Sequence, residues 1–318
     1  MSNKRSCYIG IDTSNYTTSF AVCDGDGKIV ANIKKLLDVK MGEKGLRQSD
    51  AVFSHIKNFP VISDAIREAV RGYEIKGVGV STKPRDAEGS YMPCFMTGKA
   101  VAETLAACFD VPLCEFSHQS GHIMAALYSS GNIENLINKP FVAFHVSGGT
   151  TEAVYVRRTD EGFSVDIVAE TADISAGQAI DRAGVLMGLA FPCGRELEKL
   201  ANGCCEKLPK AKICVRDGKC NLSGLENIAE KMYAETNDKN LVAAYVLNFV
   251  SETLEAMTDY VRALYPDAPV LYAGGVMGNK ILQKRLSKYE NVYFSEPEFS
   301  SDNGAGIALL TKNKLEHL

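Results

Sequence analysis

At 318 residues the chain is long enough for two lobes, each with its own core. Its 46% hydrophobic and 23% charged residues describe an ordinary globular protein, and a formal charge of −4 excludes a general pull on nucleic acid, so any polyanion needs a local basic face. No apolar run approaches the ~20 residues of a membrane span, the polar start carries no signal peptide, and the ten cysteines are scattered without a C-x-x-C pair; the expectation is reduced thiols, no membrane partner and a cytoplasmic protein.

The first element is a hairpin. Cys7–Ile11 is apolar, Asp12–Thr18 is polar and rich in hydroxyls, and Phe20–Val22 is apolar again. Such a turn offers short donors that suit phosphate oxygens, or is an ordinary hairpin turn. Helical spacing follows over 51–70, 96–109 and 119–128, with strands at 75–80 and 111–114 between them. At 141–156 the hairpin recurs. With an offset of 133 residues Ser14 meets Ser147, and Thr17-Thr18 meet Thr150-Thr151. Both copies then pass a turn, 24–27 and 159–162, into another β-like run. A repeated hairpin at half-chain spacing predicts internal duplication into two lobes, with two turns holding one polyphosphate. The second half predicts helices at 176–189, 196–201, 222–234 and 241–264, a buried strand at 268–273, a helix from about 279, a strand at 292–295 and a last helix from about 303. Alternating strands and helices give an α/β architecture.

Three constellations carry chemistry. His118 and His122 stand at i and i+4, sharing one face of a helix at a separation one metal ion bridges; the alternative is a pair of surface histidines. Position 119 is Gln, which cannot serve as the general base of a metalloprotease. Asp302 opens the final helix, either as an N-cap or as the third ligand of a two-histidine, one-carboxylate site suited to iron or zinc. Gly274-Gly275 ends a strand before a helix, a place where backbone approaches a nucleotide closely. Asp181, in Gly177-Gln178-Ala179-Ile180-Asp181, either accepts from ribose hydroxyls or is a solvated helix residue.

In order along the chain, Gly10-Ile11-Asp12-Thr13-Ser14, His118-x-x-x-His122, Val146-Ser147-Gly148-Gly149, Gly177–Asp181 with Pro192-Cys193-Gly194, Ser223-Gly224-Leu225, Ala273-Gly274-Gly275-Val276-x-x-Asn279 and Asp302-Asn303-Gly304-Ala305 resemble the motifs of the TsaD / KEOPS catalytic-subunit family, once called glycoproteases. The resemblance runs nearly end to end and marks a divergent, bacterial-type member. It implies a duplicated two-lobe actin-like (ASKHA) fold of the sugar-kinase and chaperone-ATPase superfamily, with nucleotide and metal in the interlobe cleft. The lobes would be 1–115 plus 297–318, and 116–296. The implied activity moves threonylcarbamoyl from threonylcarbamoyl-AMP to N6 of adenosine 37 in tRNAs that read ANN codons. By the same resemblance His118, His122 and Asp302 bind one divalent metal, iron before zinc. Val146, Ser147, Gly148, Gly149, Asp181, Gly194, Gly274, Gly275 and Asn279 hold the adenine nucleotide, and Asp12 and Ser14 are the catalytic candidates. The implied partners are tRNA, a paralogous subunit and a small ATPase-type protein.

The sequence departs from the family where the transferred group and acceptor lie. Asn15, Tyr16 and Thr17 replace a cysteine and an acidic pair, Thr150 replaces a histidine, and Lys83-Pro84-Arg85 replaces a G-P-G turn. These changes keep two alternatives open: a metal-dependent carbamoyl or acyl transferase acting on another acceptor, and a nucleotide-binding partner subunit without catalysis. A scaffold has no need of a metal triad, which counts against the second. A sugar kinase, considered on Asp12, has no need of the histidine pair. The run from Glu206 to Lys212, with Arg216 and Lys219, is the candidate basic face for tRNA.

Overall fold

The computed structural model describes residues 4–14, 16–38, 47–160, 162–299 and 304–316. The chain forms two units: Met1–Gly131 with Arg158–Ser164 and Phe299–Leu318, and Asn132–Arg157 with Val165–Glu298.

The first unit is built on strands β1 (Arg5–Asp12), β2 (Thr17–Asp24), β3 (Ile29–Leu36), β4 (Tyr73–Lys83) and β5 (Leu113–Ser117), with helices α1 (Gln48–Ala69), α2 (Phe95–Phe109) and α3 (His118–Ser129). The sheet runs β3-β2-β1-β4-β5; β1–β2–β3 is an antiparallel meander, and β1, β4 and β5 are parallel. Alternation along the strands sorts the side chains. Cys7, Ile9 and Ile11 of β1, Phe20 and Val22 of β2, and Val78 and Val80 of β4 face one way and form a core with Ile62 of α1 and Ala102 and Ala106 of α2.

The second unit contains α4 (Ile133–Leu136), β6 (Phe141–Val146), most of β7 (Thr151–Thr159) and of β8 (Gly162–Thr171), α5 (Ala176–Leu186), α6 (Gly194–Asn202), β9 (Val215–Arg216), β10 (Lys219–Cys220), α7 (Gly224–Thr236), α8 (Lys239–Leu264), β11 (Val270–Ala273), α9 (Lys280–Leu286) and β12 (Val292–Phe294). Its sheet order is β12-β11-β6-β7-β8-β10-β9. Val142, Phe144 and Val146 of β6 pack with Ala179 and Ala183 of α5, Leu225 of α7 and Val246, Val250 and Leu254 of α8. The apolar stripe of α8 is therefore core, as its period demands.

The last helix, α10 (Ala305–Leu315), belongs to the first unit and lies on the opposite face of β1 and β4 from α1 and α2. Gly10 makes this approach possible: a Cβ there would stand 2.2 Å from the Gly304 carbonyl oxygen and 2.3 Å from the Ala308 nitrogen.

The duplication read from the sequence is present in the strand pairing. Ile11 pairs with Phe20 and Asp12 with Ser19; at the same offset of 133 residues Phe144 pairs with Ala153 and His145 with Glu152. The order β3-β2-β1-β4-β5 recurs as β8-β7-β6-β11-β12, and β9–β10 is an addition at one edge. The lobe boundary differs from the expected 115/116. Helix α3 stays with the first unit because it packs on α10: Gly121 lies against Ile307, and Gly306 against the Gly121 carbonyl.

Candidate functional site

Strands β1, β4 and β5 are parallel neighbours, so their C-terminal ends open on the same edge of the sheet, and each delivers a polar residue there. β1 ends in Asp12, β4 carries Ser81 near its end, and β5 runs directly into His118, the first residue of α3. Register places Ile11 beside Val80 and Ser81 beside Phe116. The Asp12 carboxylate is fully buried. Its Oδ2 accepts from Ser14 Oγ at 2.6 Å, and its Oδ1 accepts from Ser81 Oγ and faces His118 Nδ1 at 3.1 Å. Ser14 is as buried as Asp12, so both catalytic candidates of the first loop are committed to this network.

The imidazoles of His118 and His122 lie edge to face, with ring centroids 4.3 Å apart, and both rings are half-buried. The i, i+4 spacing has thus put two nitrogen donors on one face of α3. Asp302, the expected third ligand, lies outside the described residues, and among the described residues no group of three or more His, Cys, Asp or Glu is arranged to hold a metal. The donor set present, two imidazoles backed by a carboxylate, fits a transition-metal or zinc ion.

The helix that carries the pair is fastened at its start. Ser117 caps it by accepting from Ser120 N–H at 3.1 Å. Asp86 accepts from Ser117 Oγ at 2.5 Å and Ser120 Oγ at 3.1 Å, and pairs with Lys83 at 3.0 Å. Pro84 O accepts the Gln119 N–H at 3.1 Å. The segment that departs from the family's G-P-G turn is therefore a strap over the N-terminus of α3. Sequence reasoning missed Ser81 and Asp86. The signal for Asp86 was available, since it stands one residue beyond Lys83-Pro84-Arg85.

The first turn does not present its hydroxyls as expected. Thr13 Oγ1 donates to Cys94 O at 3.0 Å and accepts Gly98 N–H at 3.1 Å, tying down α2. Thr18 Oγ1 bonds His55 Nδ1 at 2.8 Å and accepts from Asn58 Nδ2 at 3.0 Å, tying down α1. Ser19 Oγ accepts Gly304 N–H at 2.6 Å, just before α10. All three are buried, so these hydroxyls serve the packing of the unit and not a phosphate. Asn15 lies outside the described residues.

The second turn is different. Ser147 N–H donates to Thr150 O at 2.8 Å and Ser147 Oγ accepts Thr150 N–H at 3.1 Å, which closes the turn. Gly148 and Gly149 are exposed, with nothing within 4 Å of where a Cβ would sit. Helix α5 abuts this turn: Ser175 caps it in a capping box with Gln178, Ser175 Oγ donates to Gly148 O at 2.7 Å, and Gly177 N–H donates to Ser147 O at 3.1 Å. Gly274 brings in the end of β11. Its φ of +105° belongs to glycine, and a Cβ would lie 2.2 Å from Val146 O. Val146, Ser147, Gly148, Gly149, Gly274 and the exposed Gly275 thus gather at the C-terminal ends of β6 and β11, where open α/β sheets bind ligands.

The remaining expected nucleotide residues have structural partners of their own. Asp181 Oδ1 accepts Cys193 N–H at 2.8 Å, fixing the residue before Gly194, which opens α6. Asn279 is nine-tenths buried and caps α9, accepting from Ile281 N–H at 3.0 Å and Leu282 N–H at 3.2 Å. Ser223, singled out as a motif residue, donates to Asp173 Oδ2 at 2.6 Å. Burial pushes the Asp173 carboxyl up, but hydrogen bonds from Ser223 Oγ and from the Leu222, Ser223 and Ile174 amides outweigh it and hold the group well below the usual carboxylate range.

The family model for TsaD, the tRNA N6-adenosine threonylcarbamoyltransferase, matches residues 30–309. The chain belongs to the TsaD family. Relatives of the same description include a Bacillus subtilis protein, 28% identical over 97% of this chain and 90% of its own length, and one from Streptococcus pneumoniae, 31% identical over 88% and 82%. Among solved structures, full-length HypF in a phosphate- and nucleotide-bound form superposes with a TM-score of 0.58 at 15% identity, covering 99% of this chain; the chain spans about half the length of HypF. A ROK family glucokinase from Streptomyces griseus gives 0.53 at 13% identity, over 96% of this chain and 99% of its own. Both show the fold: this TsaD-family chain has the actin-like, duplicated α/β architecture.

Proposed function

We propose that the chain is a metal-dependent tRNA N6-adenosine threonylcarbamoyltransferase, taking the acyl group from threonylcarbamoyl-AMP to adenosine 37. The match to the family over residues 30–309 carries this reading. In the reaction the adenosine N6 attacks the carbamoyl carbon, a C–N bond forms, the C–O bond to phosphate breaks, AMP leaves and N6 gives up a proton.

The open turn Ser147-Gly148-Gly149, with Gly274 and Gly275 beside it, supports a nucleotide lying against backbone that no side chain shields. Asp181 and Asn279 hold the loop and helix around it. His118 and His122 are the described residues that would hold the metal, with Asp302 as the third ligand and iron the ion proposed. Such an ion, when bound, supplies Lewis acidity toward the donor's carbonyl and phosphate oxygens. The exposed Lys207, Lys210, Lys212, Arg216 and Lys219 are proposed as the basic residues that meet the tRNA backbone, and such contacts weaken steeply with salt. Phe53, Ile56 and Val61 are exposed on α1, which supports contact with a paralogous subunit there. A tRNA substrate supports a cytoplasmic location; no described helix is long and apolar enough to cross a membrane.

The test is a transfer assay with synthetic threonylcarbamoyl-AMP, unmodified tRNA and candidate partner subunits, read by nucleoside mass spectrometry. Modified adenosine is expected with the wild type and not with His118→Ala or His122→Ala. Transfer that both variants retain contradicts the metal's part in it. Donor consumption without tRNA modification that rises when a small-molecule amine or alcohol is added, with the acylated acceptor seen by mass spectrometry, favours the small-molecule acyl transferase.

A further inference from the structure

We propose that Asp12 is a positioning residue. Gripped by Ser14 and Ser81, its carboxylate fixes the His118 imidazole with the proton on Nδ1, so that Nε2 is the nitrogen the ring presents to a ligand. The inference rests on the metal reading of His118 only for what that ligand is.

The case starts from the sheet. Asp12 and Ser81 lie one step beyond the paired residues Ile11 and Val80, on the face opposite the apolar core, and His118 follows the next parallel strand. Three neighbouring strand ends therefore converge on one carboxylate. It is fully buried, and a buried carboxylate persists only where donors surround it. The Ser14 and Ser81 hydroxyls are two of them. The carboxylate already accepts from two hydroxyls, so in the proposed arrangement His118 Nδ1, 3.1 Å from Oδ1, is a third donor and carries the ring's proton. In a neutral imidazole the lone pair then belongs to Nε2. A carboxylate behind a histidine sets its tautomer and ring orientation in this way.

The same geometry tells against Ser14 as a nucleophile. In a hydrolytic triad the histidine stands between serine and aspartate and takes the serine's proton. Here the aspartate stands between Ser14 and His118, and Ser14 points its hydroxyl at Asp12. Both groups act through the histidine.

The experiment is long-range 1H–15N NMR on the metal-free chain labelled at histidine, with the His118 signals assigned by their loss in His118→Asn. The wild type is expected to show His118 protonated at Nδ1 and bare at Nε2; the reverse tautomer overturns the proposal without need of a variant. In Asp12→Asn the His118 signals are expected to move toward the Nε2-protonated form. The Kd for Zn²⁺ alone, by calorimetry, is expected to weaken about 10- to 100-fold. Ser81→Ala keeps the carboxylate and is expected to preserve the tautomer with a weaker Kd, and it stands in if Asp12→Asn does not fold. A folded Asp12→Asn with the wild-type tautomer and Kd overturns the proposal. The Nδ1-protonated tautomer in a wild type that binds no Zn²⁺ would instead overturn the metal reading and leave the role of Asp12 standing.

Discussion

The two polar turns began as the same hairpin and have been put to different uses. Strand register is equal in both at the offset of 133 residues, and Ser14 and Ser147 stand at equivalent places. Around the first, α1, α2 and α10 close in, and the hydroxyls of Thr13, Thr18 and Ser19 are consumed in fastening them. Around the second, Gly148 and Gly149 keep open space, and among the described residues α5 and the end of β11 abut. A turn's composition tells which hydrogen bonds it can make; packing decides whether the partner is the protein or a ligand.

The sharpest break of this comparison is steric. Gly10→Ala drives a methyl into the backbone of α10, and overpacking of that kind is expected to lower stability by about 3 kcal/mol in urea unfolding. The nucleotide Kd of the folded fraction should be unchanged. Next, Gly149→Asp places a negative charge on the open turn at a position with no positive φ and no steric neighbour. Like-charge juxtaposition should weaken AMP binding by about a hundredfold, measured by calorimetry, with the unfolding midpoint unmoved. Equal damage to both properties in either variant would erase the distinction. Thr18→Val leaves His55 and Asn58 without their shared hydroxyl; the expected loss is about 1–3 kcal/mol of stability, with AMP affinity intact.

A smaller effect concerns pH. Burial, with Asp24 nearby, pushes the Cys7 thiol up to about 11 and Cys23 to about 12, and burial pushes Cys220 to about 11. A raised folded value means stability that is fully present below the ordinary thiol value of 9.0 and is lost as pH rises through 11 to 12. Unfolding midpoints should fall over that alkaline window. Alkylation at neutral pH should reach the exposed Cys108, Cys205 and Cys214 and spare Cys7, Cys23 and Cys220. Asp173 has the opposite sign: its stabilising contribution is present above the ordinary carboxylate value and is lost as pH falls below it, so Asp173→Asn should blunt the acid response.

Much of this fold was legible because periodicity reports local structure. The 3.6-residue stripe of α8 and the apolar run of β1 placed those elements, and the repeated Ser-x-x-Thr-Thr spacing revealed the duplication before any pairing was seen. The histidine pair was readable for the same reason, since i, i+4 on α3 is a fact of helix geometry. What stayed hidden depends on long-range contact. Nothing local says that Asp12 is buried, that Ser81 reaches it from the neighbouring strand, or that α3 packs on a helix nearly two hundred residues later. Asp181 and Asn279 show a further limit: a side chain that meets a ligand and one that holds a loop or caps a helix share the same chemistry, and the sequence alone does not show the partners these two have in the fold.

The central claim is that this chain modifies tRNA, and the most direct measurement is made in cells. Cells depleted of their own threonylcarbamoyltransferase are supplied with this chain and its partner subunits, and their tRNA nucleosides are weighed by mass spectrometry. Restoration of threonylcarbamoyladenosine by the wild type, and not by His118→Ala, is the predicted result. Well-expressed, folded protein that leaves tRNA unmodified would contradict it.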